Sequence, residues 1–179
     1  EGLYQHYKKI AEAVDIPIVL YNIPGRTGVN MLPETVARLM PHENIVGMKE
    51  GSGSVQQVAE LIHLCGERLT VISGDDAITL PMMSLGAKGA ISVTANIAPV
   101  DMSKMMFAAE KGDMLAARRW HDKLYPLHKV LFLETNPIPV KAALALMGKC
   151  RDEVRLPLAP LSDQNRARLK TVLAEYGLL

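Results

Sequence analysis

Aromatic residues are scarce in this chain, 4% of 179 positions, and neither sign of charge dominates, with 20 Lys and Arg against 19 Asp and Glu. Basic and acidic residues alternate along the whole length, so there is no cationic stripe to follow a phosphate backbone and no series of aromatic platforms for bases. Nucleic acid is therefore not an expected partner. Long apolar runs are lacking too. None approaches the roughly 18 residues that span a bilayer, and no basic segment leads into an apolar one as a secretory signal requires. A cytoplasmic protein with no membrane partner is expected. Cysteine is nearly absent: Cys65 and Cys150 both lie in apolar stretches of helical character and read as reduced core residues, not a disulfide framework. A starting Met is also missing. Glu1 stands first and residues 4–14 read as the middle of a helix, so the N-terminus reads as cut.

What is present is a repeat. Short β-rich runs at 17–21, 45–49, 70–74 and 89–93 each end in polar residues or glycine and are followed by an amphipathic helical pattern. Their spacing approaches the roughly 30 residues of a βαβ unit, which predicts parallel pairing. Helices are expected at 33–40, ended by Pro41, at 54–65, ended by Gly66, and at 76–85, ended by Gly86. Consecutive apolar residues such as Ile18, Val19 and Leu20 predict a sheet covered on both faces. Beyond residue 93 the alternation stops, and 99–111, 113–130, 139–147 and 162–176 all read as helices, the last with Ser162 as N-cap. The division expected is 1–112 for the βα region and 113–179 for a helical domain. An open doubly wound sheet and a (β/α)8 barrel both produce this alternation and both gather function at the C-terminal ends of strands.

Those ends carry Tyr21, Lys49, Gly74 with Asp75 and Asp76, and the segment 91–94. A lysine drawn into an apolar strand end loses hydration of its ammonium form, which frees the amine to attack a carbonyl. A tyrosine beside it can move protons to and from the resulting carbinolamine and enamine. Taken singly, such a lysine is more often a solvated stem and such a tyrosine more often rim packing. Their occurrence on neighbouring strands is what points to Schiff-base chemistry. The loop Gly51-Ser52-Gly53-Ser54 is either an anion cradle or a turn and cap, and it matches neither the Walker nor the dinucleotide spacing. Asp75 and Asp76 would need histidine to hold a metal, yet His6, His42, His63, His121 and His128 are scattered without ligand spacing, so neither metal nor cofactor is expected. The ten methionines, Met82, Met83, Met105 and Met106 among them, fall at helical positions and read as core filler.

The segment Tyr21-Asn22-Ile23-Pro24-Gly25-Arg26-Thr27-Gly28, with Gly47-Met48-Lys49-Glu50 after it, resembles the dihydrodipicolinate synthase family. Ser73-Gly74-Asp75-Asp76, then 86–93 (GAKGAISV) and 134–141 (ETNPIPVK) continue the resemblance in order along the whole chain. It implies a (β/α)8 barrel, of which this chain would be the C-terminal half, strands five to eight, followed by a helical domain. The implied activity is a class I lyase, 4-hydroxy-tetrahydrodipicolinate synthase, condensing pyruvate with aspartate semialdehyde in lysine and diaminopimelate biosynthesis. By resemblance Lys49 forms the Schiff base, Tyr21 donates and accepts protons, Arg26 receives the semialdehyde carboxylate and Ile91 meets pyruvate through its backbone. Gly74 and Asn136 are similar to positions lining the same pocket. Related pyruvate-dependent aldolases such as N-acetylneuraminate lyase share the tyrosine and lysine, but the Gly-Arg-Thr-Gly continuation resembles the synthase.

Family members are commonly homotetramers, and Leu127, Val130 and Leu131 are expected to face a neighbouring subunit. On this resemblance the family's first four strands are expected to be missing here, and with them a threonine pair, a second tyrosine and most of the lysine feedback site. The chain alone is expected to be inactive. Two readings from other classes remain beside the enzyme: a non-enzymatic half-barrel serving as an assembly module, and a phosphate-binding barrel using 51–54.

Overall fold

The computed structural model describes residues 1–179, which divide into two compact units, Glu1–Ile91 and Ser92–Leu179. The boundary expected from composition, at 112/113, lies inside the second.

In the first unit, helix α1 (Gly2–Ala13) leads into strand β1 (Ile18–Asn22), the short helix α2 (Pro24–Thr27) and helix α3 (Pro33–Leu39). Strand β2 (Ile45–Glu50), helix α4 (Val55–Cys65), strand β3 (Thr70–Ser73) and helix α5 (Thr79–Ser84) follow. Helix α4 starts where expected because Ser54 caps it, its side chain accepting from Gln57 N at 3.1 Å. Helix α2 is not among the elements expected from the sequence. Pro24 at its first positions preorganises it, and Gly28, at φ 70, closes it in a left-handed conformation that favours glycine.

The sheet is parallel with strand order β1-β2-β3. Its faces differ in kind. Leu20, Met48 and Val71 point into a core built with Ala11, Val36, Leu39, Val58, Leu61, Cys65 and Met82 from the helices. Val19 and Tyr21, on the opposite face, are 48% and 40% exposed. The expected cover on both faces is therefore absent. A run such as Ile18-Val19-Leu20 is apolar on both sides without being covered on both. Sequential order with all helices on one face is the arrangement of a barrel; a doubly wound sheet reverses its strand order and covers both faces.

The fourth β-rich run forms only a parallel bridge, Ser73 to Ala90, with Ser73 N donating to Gly89 O at 2.8 Å and Ile91 N to Ser73 O at 2.9 Å. No strand of this chain lies along its other edge, and the backbone turns into a short 3-10 helix at Thr94–Asn96.

The second unit holds helices α6 (Pro99–Glu110), α7 (Met114–Val130), α8 (Ile138–Leu146) and α9 (Asp163–Tyr176). Asp113 caps α7 by accepting from Ala116 N at 2.9 Å. Ser162 does not cap α9 with its own side chain. Instead the Glu134 carboxylate accepts from Ser162 N, Ser162 Oγ and Asn165 Nδ2, which holds its pKa below the usual carboxylate range. Leu127, Val130 and Leu131 are buried within this chain, so they are not free to face a neighbour. Met82, Met102 and Met105 are buried, in keeping with their reading as filler. Cys65 is buried, which pushes its thiol pKa up, whereas Cys150 is exposed beyond the end of α8 and is no core residue.

Asp101 joins three elements, accepting from Lys123 Nζ at 2.7 Å and Tyr176 Oη at 2.8 Å, with Lys104 at 3.5 Å. Partial burial alone would raise its pKa. The Lys123 and Tyr176 hydrogen bonds and the neighbouring positive charges outweigh that and hold it low, while burial and Asp101 push the Tyr176 phenol up.

Candidate active site

The C-terminal ends of β1 and β2 place Tyr21 opposite Lys49 in the pairing register, both on the open face of the sheet. Lys49 Nζ lies 4.1 Å from the centroid of the Tyr21 ring, a cation–π geometry. Lys49 is half-buried, so the dehydration that sequence reasoning attached to it requires a cover over this face.

Two glycines make room for the pair. A Cβ at Gly74 would sit 3.1 Å from Lys49 Cε, 3.1 Å from Glu50 O and 3.2 Å from Gly51 Cα. A Cβ at Gly51 would sit 3.4 Å from Tyr21 Cε2 and 3.1 Å from Asn22 O. Gly74 thus belongs to the rim as the space that the lysine stem occupies. Gly51, counted by sequence only as part of a possible anion loop, does the same for the tyrosine ring.

That loop spends backbone N–H groups on the strand ends and on its own serine. Gly51 N donates to Asn22 O at 2.8 Å, Ser52 N to Glu50 Oε1 at 2.6 Å and Ser54 N to Ser52 Oγ at 3.2 Å. This is turn-and-cap geometry. Asp75 likewise caps the short helix Asp76–Ile78, its side chain accepting from Ala77 N at 3.0 Å. No three His, Cys, Asp or Glu side chains converge as ligands for a metal ion, and no helix is long and apolar enough to cross a membrane.

Of the other residues singled out by sequence, Arg26 lies on α2, directly beyond the end of β1, and is exposed. Ile91 is 54% exposed, and its N–H is taken by Ser73 O, leaving its carbonyl as the backbone group to offer a ligand. Asn136 belongs to the second unit, just before α8.

The residues that sequence reasoning missed lie behind the rim. Glu50 and Asn22, register partners one step beyond Lys49 and Tyr21, are 1% and 3% exposed and bonded to each other. Their signal was available: Asn22, Glu50 and Ser73 interrupt, at one level of the sheet, the face on which Leu20, Met48 and Val71 are apolar.

Against known proteins, the model of the dihydrodipicolinate synthetase family matches residues 1–176. The 4-hydroxy-tetrahydrodipicolinate synthases of Geotalea uraniireducens and Geobacter sulfurreducens are each 58% identical over 179 residues, all of this chain and 62% of theirs. The chain therefore spans 62% of the length of these curated relatives. Among solved structures, dihydrodipicolinate synthase from Aquifex aeolicus superposes with a TM-score of 0.97 at 48% identity, over 99% of this chain and 61% of that one. The chloride-inhibited synthase of Acinetobacter baumannii, complexed with pyruvate, does so with the same TM-score, identity and coverage. The fold accordingly is part of a (β/α)8 barrel followed by helices, and the chain belongs to the dihydrodipicolinate synthetase family.

Proposed function

We propose that this chain carries the Schiff-base machinery of a 4-hydroxy-tetrahydrodipicolinate synthase acting in lysine and diaminopimelate biosynthesis. The observation that carries the reading is the approach of Lys49 Nζ to the Tyr21 ring at facing strand ends, 4.1 Å apart. The amine of Lys49 attacks C2 of pyruvate, and the carbinolamine loses water to give an imine. Loss of a C3 proton forms an enamine whose carbon attacks the aldehyde of aspartate semialdehyde, the aldehyde oxygen taking up a proton. Tyr21 is the group placed to carry these protons.

Arg26, a forked guanidinium, suits the semialdehyde carboxylate. The Ile91 carbonyl is offered to pyruvate, Gly74 leaves space for the lysine stem, and Asn136 is proposed as a further substrate-binding residue. The proposal extends to a homotetramer in the cytoplasm, to 1–112 as barrel and 113–179 as helical domain, and to an inactive chain when isolated. Inactivity follows physically, because an apolar inner face and unpaired strand edges are open in these residues.

The test is borohydride trapping with pyruvate followed by peptide mapping. It is run on the chain alone and on a chimera in which the first part of the Geotalea uraniireducens synthase precedes residue 1. An adduct on Lys49 in the chimera, lost in Lys49→Ala, is expected. Folded chimera without an adduct defeats the assignment.

A further inference from the structure

Glu50 is an acidic side chain sealed on the helix-covered face of β2, next in sequence to Lys49 but pointing the opposite way. Oε1 accepts from Ser52 N at 2.6 Å and Asn22 Nδ2 at 3.3 Å, and Oε2 accepts from Asn22 Nδ2 and Gln57 Nε2, both at 3.0 Å. Asn22 in turn accepts from Met31 N at 3.0 Å and donates to Asn30 Oδ1 at 2.7 Å, and Asn30 and Gln57 exchange hydrogen bonds of 2.9 and 3.2 Å. One carboxylate thus ties together the ends of β1 and β2, the segment before α3 and the first turn of α4.

Each of these hydrogen bonds brings a donor to a Glu50 oxygen, and none of the donors is cationic. A glutamine in its place would turn an amide NH2 toward these donors. Burying a carboxylate is expensive even when it is fully bonded, and a well-packed apolar residue commonly stabilises as well or better. Stability alone is a poor account of it. Geometry is a better one. Side chains alternate across a strand, so any rotation of the end of β2 that frees Glu50 must swing the stem of Lys49 as well. Asn22 stands in the same relation to Tyr21.

We propose that Glu50 is a positioning residue, which through Asn22 and Gln57 fixes the strand ends that aim Lys49 at the pyruvate carbonyl beside Tyr21. This rests on the Schiff-base reading above.

The experiment measures the rate of Lys49 trapping against pyruvate concentration in the chimera, in Glu50→Gln and in Gln57→Ala, with thermal melting of each. In Glu50→Gln the maximal trapping rate should fall about tenfold or more while the pyruvate concentration at half-maximal rate changes little, because aim is lost and pyruvate binding is not. Gln57→Ala should show a smaller fall of the same kind, and it decides the matter if Glu50→Gln does not fold. Parental maximal rates in the folded variants overturn the proposal, as does a fall explained entirely by the unfolded fraction. If the parental chimera yields no adduct, the Schiff-base reading fails. The positioning role is then judged from the rate at which a small acylating reagent modifies Lys49. A changed rate in folded Glu50→Gln upholds the hold of Glu50 on the Lys49 stem, without the aim at pyruvate, and an unchanged one overturns it.

Discussion

Substituting Gly74 by alanine adds a single methyl group at the point where β3 meets the lysine stem. The new Cβ would lie 3.1 Å from Lys49 Cε, 3.1 Å from Glu50 O and 3.2 Å from Gly51 Cα. The second and third of these are backbone atoms, and the Glu50 carbonyl is pinned because it accepts from Gly74 N at 2.7 Å. The side chain of Lys49 is the part able to yield. Restoring a carbon–carbon separation of about 3.5–4.0 Å requires Cε to retreat by about 0.4–0.9 Å, and Nζ is one bond further out. A displacement near 1 Å costs on the order of 10²-fold in a positioned reaction. Trapping of pyruvate on Lys49 in the chimera should therefore slow by about tenfold to a hundredfold. The overpacking strain left against the two backbone atoms should cost about 1–3 kcal/mol. Gly25→Ala is the control, since nothing lies within 4 Å of a Cβ there. Parental trapping kinetics in Gly74→Ala would refute the claim that this glycine exists to seat the lysine.

Tyr21→Phe keeps the ring under the Lys49 ammonium and removes only the hydroxyl, so condensation turnover should fall about 10²–10⁴-fold while the folded chimera melts within a few degrees of the parent. Asp101 titrates below its ordinary value in the folded chain, so its stabilising contribution is full above about pH 3.9 and disappears as pH falls through the depressed value. The melting difference between the parent and Asp101→Asn should therefore be largest near neutrality and shrink below about pH 4; a constant difference refutes the assignment. Iodoacetamide applied to the native protein should label the exposed Cys150 and spare Cys65, whose burial disfavours the thiolate, and equal labelling would contradict the placement of Cys65 in the core.

The βα order and the helical C-terminal part were legible because hydrophobic periodicity carries them over many residues. Tyr21 and Lys49 were legible because parallel strands in register deliver side chains of the same level to one rim. The faces of the sheet were not, since Ile18, Val19 and Leu20 are alike in type while burial is decided by what lies across from each. The run at 89–93 has the composition of a strand, but a strand also needs a neighbour, and only one bridge is supplied. The buried Asn22, Glu50 and Gln57 escaped for a related reason. Polar residues at the end of a strand look like punctuation, and their pairing is long-range in sequence, with 28 positions separating Asn22 from Glu50. Leu127, Val130 and Leu131 form an apolar cluster in any reading. Which surface satisfies it is a tertiary fact, and it is this chain's own.

The parity of the strands has a consequence for how such a chain tolerates length changes. Odd positions at the rim, Tyr21 and Lys49, face the open side, and even positions, Asn22 and Glu50, face the helices. Deleting one residue within β2 would exchange these duties, pressing an ammonium into the core that holds Leu20, Val71 and Leu61 and turning a carboxylate outward. One residue lost from the connection at 41–44 or from the surface between α4 and β3 changes no parity and is absorbed by a loop. Drift in length should accordingly collect in the connections, while the count of residues within each strand, more than their identity, is what variants must preserve.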